Sequence, residues 1–239
     1  VAWLAAYPYF GFSLLLLAVA GLGLLAWQAA PPPGRAIARR LMVVGGLACG
    51  PYGLFSYMYI PKYWKPVLTC WMGTASPEDI LFAIGTAALA IGLALWPYRR
   101  TLSLPHLDAR VFALRYCLFA AVGIGLGFGI LYAVQWRIDT MFACLISIAV
   151  AGAVVIRSRP DLLRLSLPGL LFVPFYWLAL HAAFLIWPTF SAAWTQAQTH
   201  HILIGGVPLY ELAWGAGLGA AWPPLIGWCS GLRLDGGAG

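Results

Sequence analysis

The chain has 239 residues, 62% hydrophobic and only 9% charged, with 14 Lys and Arg against 7 Asp and Glu and a formal net charge of +7. Soluble domains carry about 25% charged residues, so this composition excludes an ordinary soluble fold. The five cysteines are scattered, with no CxxC or Cys/His zinc spacing, and indicate neither a disulfide framework nor a zinc site.

Apolar runs of about twenty residues recur along the whole chain, each long enough to cross about 30 Å of hydrocarbon. Backbone in lipid must satisfy its polar groups internally, and continuous rather than alternating runs favour helices over a barrel. The expected class is therefore all-α, a polytopic integral membrane protein forming a single membrane domain over 1–239. Spans are expected at 8–28, 40–60, 77–96, 111–134, 138–156, 166–187 and 208–230. The first run is too long and too poor in charge for a cleaved signal peptide and reads as a genuine span.

In chain order, "PPPGRAIARR" reads as a basic Pro/Gly turn after the first span. Residues 61–76, "PKYWKPVLTCWMGTAS", form a longer aromatic connection that carries Trp64 and Trp71. "PYRRTLSLPHLDAR" and "RSRPDLLR" are further basic loops. "GIGLGFG" at 123–129 has no preceding strand and reads as small-residue helix packing rather than a nucleotide loop. Arg115, one turn into the fourth span, can snorkel to the membrane surface. Residues 188–207, "PTFSAAWTQAQTHHILIGGV", form a second aromatic connection, with Trp194 and the pair His200-His201. Tryptophans in such connections commonly form an interfacial belt, or else line a cavity.

One set of connections holds Arg35, Arg39, Arg40, Arg99, Arg100, Arg110, Arg157, Arg159, Arg164 and Arg233; the other holds only Lys62, Lys65 and Arg137. This asymmetry puts the first set in the cytoplasm, with the N-terminus outside and the C-terminus inside, in a multi-pass protein of the inner (cytoplasmic) membrane. The positive charge is then a topology signal and a contact for anionic lipid, not a nucleic-acid surface.

An internal repeat links the two halves. "SPEDILF" (76–82) lines up with "PLYELAW" (208–214), so that Glu78 falls on Tyr210, Asp79 on Glu211 and Phe82 on Trp214. Pro77 and Pro208 are displaced by one in this register. Each copy opens the third span of a three-span unit, which gives a first repeat over 1–98, a linking helix over 99–137 and a second repeat over 138–239. The copies run parallel, related by an axis along the membrane normal, and sites in such proteins often lie between copies.

Much of the acidic motif is explained by capping. Ser76 suits an N-cap, Pro77 the first helical position, and Asp79 completes an S-x-x-D box whose charge also meets the helix dipole. Glu211 has no Ser or Thr before it and is less well explained. Adjacent residues on a helix point about 100° apart, so Glu78 and Asp79 do not both face one substrate. The expected working pair is one acid from each repeat, Glu78 or Asp79 with Glu211. Two carboxyls in one dry pocket do not both ionise, and a neutral acid beside aromatic faces can protonate a carbon–carbon double bond. The resulting cation would be held by nearby rings, with Trp64, Trp71, Phe82, Trp194, Tyr210 and Trp214 as the candidates. His181, within the sixth span, either satisfies a neighbour's hydrogen bond or relays a proton with Glu211.

With these motifs the chain resembles the membrane-integral lycopene cyclase domain family, found as heterodimeric subunits or fused domains in bacteria, archaea and fungi. That family carries a repeated Pro-x-Glu-Glu/Asp motif at the outer start of a span, after a tryptophan and a glycine. "SPEDILF" and "PLYELAW", with Trp64 or Trp71 and Trp194 upstream, stand in those places. In the first copy the proline is displaced by one, and in the second Tyr210 replaces the first acid. The resemblance implies redox-neutral cyclisation of a linear carotenoid end group: Glu78, Asp79 and Glu211 are the catalytic acids and bases, the substrate is a lipophilic polyene, and no cofactor or metal takes part.

Other classes fit less well. A retinal protein needs a lysine within a span, whereas the lysines are Lys62 and Lys65; membrane prenyl transferases need Asp-rich magnesium motifs, and none occurs. His200-His201 with Glu211 as an outer metal site is outweighed by their reading as polar interface residues, and Asp139 is accounted for by Arg137 or by helix capping. A transporter would need more acids and more broken-helix signals. A carotenoid hydratase and a non-catalytic polyene- or quinone-binding subunit remain as alternatives. The small residues of the fourth span permit a homo-oligomer or a complex with other carotenoid enzymes.

Overall fold

The structure is a computed structural model that describes residues 2–53, 60, 64–70, 72, 75–104, 108–133, 140–193 and 202–234. Trp71, Trp194, His200, His201, Lys62, Arg137 and Asp139, all singled out in the sequence, lie outside the described residues. The fold is helical, in the order α1 (Ala2–Ala6), α2 (Pro8–Ala26), α3 (Pro32–Cys49), α4 (Pro77–Leu95), α5 (Ala109–Ala133), α6 (Thr140–Ser158), α7 (Leu163–Gly169), α8 (Phe172–Ile186) and α9 (Leu209–Ser230). Short strands β1 (Leu102–Ser103), β2 (Leu203–Ile204), β3 (Val207–Pro208) and β4 (Arg233–Leu234) trim the ends.

Among the described residues, three helical stretches are long and apolar enough to cross a membrane: Pro8–Ala29, Pro77–Tyr98 and Pro160–Ile186, with mean hydropathies of 2.2, 2.0 and 1.9. Large apolar side chains also point outward, Leu114 and Leu167 at 73% exposure and Leu185 at 84%. A surface of that kind suits hydrocarbon and not water, so the chain is a membrane protein.

Two elements depart from the sequence reading. The helix expected at 40–60 begins instead at Pro32 and ends at Cys49. Its prolines fall in the first turn, where a missing N–H loses no hydrogen bond, so "PPPGRA" starts a helix rather than making an open turn. The run expected as one helix over 166–187 is divided into α7 and α8, with Pro168 inside α7 and a turn at 170–171. Pro168 has no N–H to donate, and Pro174 then sits in the first turn of α8, where proline is tolerated.

α4 packs on α2, α3, α7 and α9, while α9 packs on α4, α6, α7 and α8. These two helices are the axis around which the others assemble. The backbones of α7 and α9 touch at Gly169 and Gly219: a side-chain carbon on either would overlap the other's carbonyl. α9 carries Pro223 and Pro224, which cannot donate to the carbonyls of Gly219 and Ala220 four residues back. Ser166 Oγ of α7 donates to the Ala220 carbonyl at 2.7 Å, filling one of the two vacancies.

The connections gather at two ends. At one, Gly34 abuts the Arg99 carbonyl, Tyr98 Oη donates to the Arg164 carbonyl at 2.9 Å, and β1 pairs antiparallel with β4, Leu102 opposite Leu234. This end carries the arginine-bearing loops. At the other, Lys65 N–H donates to the Ala193 carbonyl, Gly11 abuts Trp187, and Trp64 meets Tyr9 edge-on at 4.4 Å. There β2 and β3 form a hairpin turned by Gly205 and Gly206, at φ 57° and 82°. Two successive positive φ values are what a two-residue primed turn requires, and glycine adopts them without steric penalty.

Candidate functional site

The acidic motif opens α4 at the aromatic end. Ser76 is the N-cap, with its Oγ accepting the Asp79 N–H at 3.2 Å, so the expected capping box forms. The same hydroxyl turns its hydrogen to Asp79 Oδ2, also at 3.2 Å, and the Tyr9 hydroxyl donates to Asp79 Oδ1. Both Asp79 oxygens therefore accept from a hydroxyl. Asp79 is 2% exposed and Glu78 0%.

Glu78 points differently, as the helical offset requires. Its Oε1 accepts the Thr69 N–H at 2.6 Å, which ties the 64–70 segment across the start of α4. Its Oε2 is buried and has no hydrogen-bond partner among the described residues. A buried carboxyl oxygen without a donor is costly, by about 1–3 kcal/mol or more, and native proteins rarely keep one without a use.

Glu211 lies in the first turn of α9, half-buried, and accepts from the Tyr176 hydroxyl of α8 at 2.9 Å. Between Tyr9 and Tyr176 the rings are continuous. Phe82 lies 6.0 Å from each tyrosine, Phe12 6.1 Å from Phe82 and 6.4 Å from Tyr176, and Trp214 stacks on Phe82 at 5.3 Å with an interplanar angle of 28°. Trp64 and Phe190 close the Tyr9 side. Asp79 and Glu211 thus stand at the two edges of one aromatic cluster, each held by a tyrosine that belongs to it.

The other expected residues are placed as follows. Phe82, Trp214 and Trp64 are in the cluster; Tyr210 is half-buried against the core. His181 lies against Trp177, centroids 4.1 Å apart with the rings tilted by 46°, and its Nδ1 faces the Trp177 carbonyl at 3.0 Å. A carbonyl only accepts, so this contact puts a ring hydrogen on Nδ1 and turns Nε2 toward Gly205 of the hairpin. Sequence reasoning missed Tyr9, Phe12, Thr69, Tyr176 and Phe190. The available signal was the need of any tyrosine inside an apolar run for a hydrogen-bond partner, a need weighed for His181 and not for Tyr9 or Tyr176.

Aromatic faces of this kind stabilise a nearby positive charge, and carboxyls at their edge can donate or accept protons. Compared with protein-family models, curated proteins and solved structures, the chain matches none.

Proposed function

We propose that this chain is a membrane-embedded acid–base enzyme that closes the end group of a linear carotenoid, as the membrane-integral lycopene cyclases do, without redox change or cofactor. The observation that carries the proposal is Glu78: a fully buried carboxyl with one oxygen unpartnered among the described residues, next to Asp79 at the edge of the aromatic cluster. In this reading Glu78 gives its proton from Oε2 to the terminal double bond of the polyene. The electron pair of the next double bond closes the ring on the resulting cation, and the faces of Tyr9, Phe82, Tyr176 and Trp214 stabilise the charge. The carboxylate of Glu211, from the other repeat, then takes a ring proton, and the electron pair left behind becomes the ring double bond. One proton enters and one leaves, so substrate and product are isomers.

The architecture that goes with this reading has seven crossings, the arginine end in the cytoplasm, and two parallel three-helix units joined by α5. Several contacts support it. The aligned residues Phe82 and Trp214 stack on each other, the aligned acids Asp79 and Glu211 each accept from a tyrosine, and the equivalent helices α4 and α9 pack together.

The test is pigment analysis after expression in a host that accumulates lycopene. A ringed product supports cyclisation, and a hydroxylated one supports capture of the same cation by water. Unchanged lycopene that co-purifies with the protein would favour a non-catalytic polyene-binding subunit, a role that the tyrosine-satisfied Asp79 and Glu211 also suit.

A further inference from the structure

The arginine end holds a cavity of about 350 Å³ whose lining includes Asp108, Val111, Arg115, Arg159, Gly231 and Arg233. Its three guanidiniums come from separate elements: α5, the turn after α6, and β4. Two are oriented by the protein. Arg115 Nη1 donates to the Trp228 carbonyl at 2.8 Å and its guanidinium lies over the Trp228 ring at 5.4 Å. Arg159 grips Asp161 through Nε and Nη2 at 2.8 and 2.6 Å, and Nη2 also donates to the Leu232 carbonyl. These bonds leave Arg115 Nη2, Arg159 Nη1 and the whole Arg233 guanidinium without partners among the described residues. Acceptors are scarce by comparison: Asp108 commits Oδ1 to the N–H groups of Arg110 and Val111 at the start of α5. Among the described residues three guanidiniums meet two carboxylates, Asp108 and Asp161, so one positive charge is unbalanced there and several donors converge on one space.

We propose that this cavity binds the phosphate of an anionic phospholipid. A phosphodiester supplies one negative charge and several acceptor oxygens, which is what converging guanidiniums recognise. The choice of a lipid over a free anion rests on what adjoins the cavity. Val111, Leu114 and Leu118 are 41%, 73% and 59% exposed, and their spacing of three and four puts them in one stripe along α5. The stripe starts at the cavity wall and runs toward the middle of the bundle, so a lipid whose phosphate sits among the arginines lays its acyl chains along it. Basic pockets at the cytoplasmic ends of spanning helices hold acidic headgroups by the same physics. The acid chemistry proposed for the other end plays no part in this assignment.

The test uses the full chain in a neutral detergent. Native mass spectrometry measures the affinity for dioctanoyl phosphatidylglycerol, with dioctanoyl phosphatidylcholine and inorganic phosphate as parallel arms. The expected result is one saturable phosphatidylglycerol site, weakened about tenfold by Arg233→Gln and at least as much by Arg115→Gln. Arg39→Gln and Arg40→Gln, which remove charge from α3 outside the cavity, should leave it unchanged. Unaltered affinity in Arg233→Gln would overturn the site, as would equal binding of phosphatidylcholine. Displacement of the lipid by an equal concentration of inorganic phosphate would overturn the lipid assignment in favour of a free anion. Arg233 is exposed and makes no described side-chain bond, so its variant decides the matter even if Arg115→Gln fails to fold.

Discussion

Neighbouring acids at the start of α4 live in different surroundings. Asp79 is held by two hydroxyls and a capping bond, while Glu78 has one backbone donor and one oxygen that is bare among the described residues. Glu78→Gln keeps an oxygen for the Thr69 N–H and removes only the acid, so it should cut cyclised pigment by about 10²-fold or more with the thermal midpoint little changed. Wild-type pigment yield from this variant would remove Glu78 from the chemistry. Tyr9→Phe, by contrast, strips a donor from a buried carboxyl and should destabilise the protein by about 1–3 kcal/mol, measured by unfolding in detergent. The sequence displays Ser76, Pro77, Glu78 and Asp79 because a cap and its first turn are local. Tyr9 is 70 positions away from the acid it serves, and no spacing along the chain encodes that contact.

At the scale of elements, helix existence follows from runs of apolar residues, and α4 ends where its run ends. Breaks are decided by partners instead. Proline interrupts the run at Pro168, yet α9 passes through Pro223 and Pro224 without ending. The difference lies in a neighbour: α7 sits against the vacated carbonyls of α9, and Ser166 bonds one of them. Ser166→Ala should therefore cost about 1–3 kcal/mol, because a carbonyl inside a membrane bundle finds no water to replace the hydroxyl. Gly169→Val should cost more, since its side chain would have to enter the α9 backbone at Gly219, and the two helices would have to part. Thermal unfolding of both variants, set beside the exposed-site control Leu167→Ala, checks the order. A midpoint for Gly169→Val equal to that of wild type would show that the helices do not meet there.

For the whole molecule, the described arginine-bearing connections and the segment that carries Trp64 lie at opposite ends of the bundle. Which end faces the cytoplasm is proposed from the count of positive charges, to which every loop contributes and for which no single contact has to be known. In a chain with its native cysteines replaced by serine, cysteine at Arg35 should react with a membrane-impermeant maleimide only after the cells are opened, and cysteine at Lys65 should react on intact cells. Labelling of both positions from the same side would contradict the proposed orientation. The central place of α9 has a consequence for timing. It follows every other described helix in chain order, yet it supplies Glu211 and Trp214 and lies against α4, α6, α7 and α8. A ribosome that has just released α8 into the membrane therefore holds a half-built aromatic nest with one wall missing, and the nest can shut only once α9 has followed. Nascent chains stalled before residue 209 should be cleaved readily by proteases that spare the finished protein.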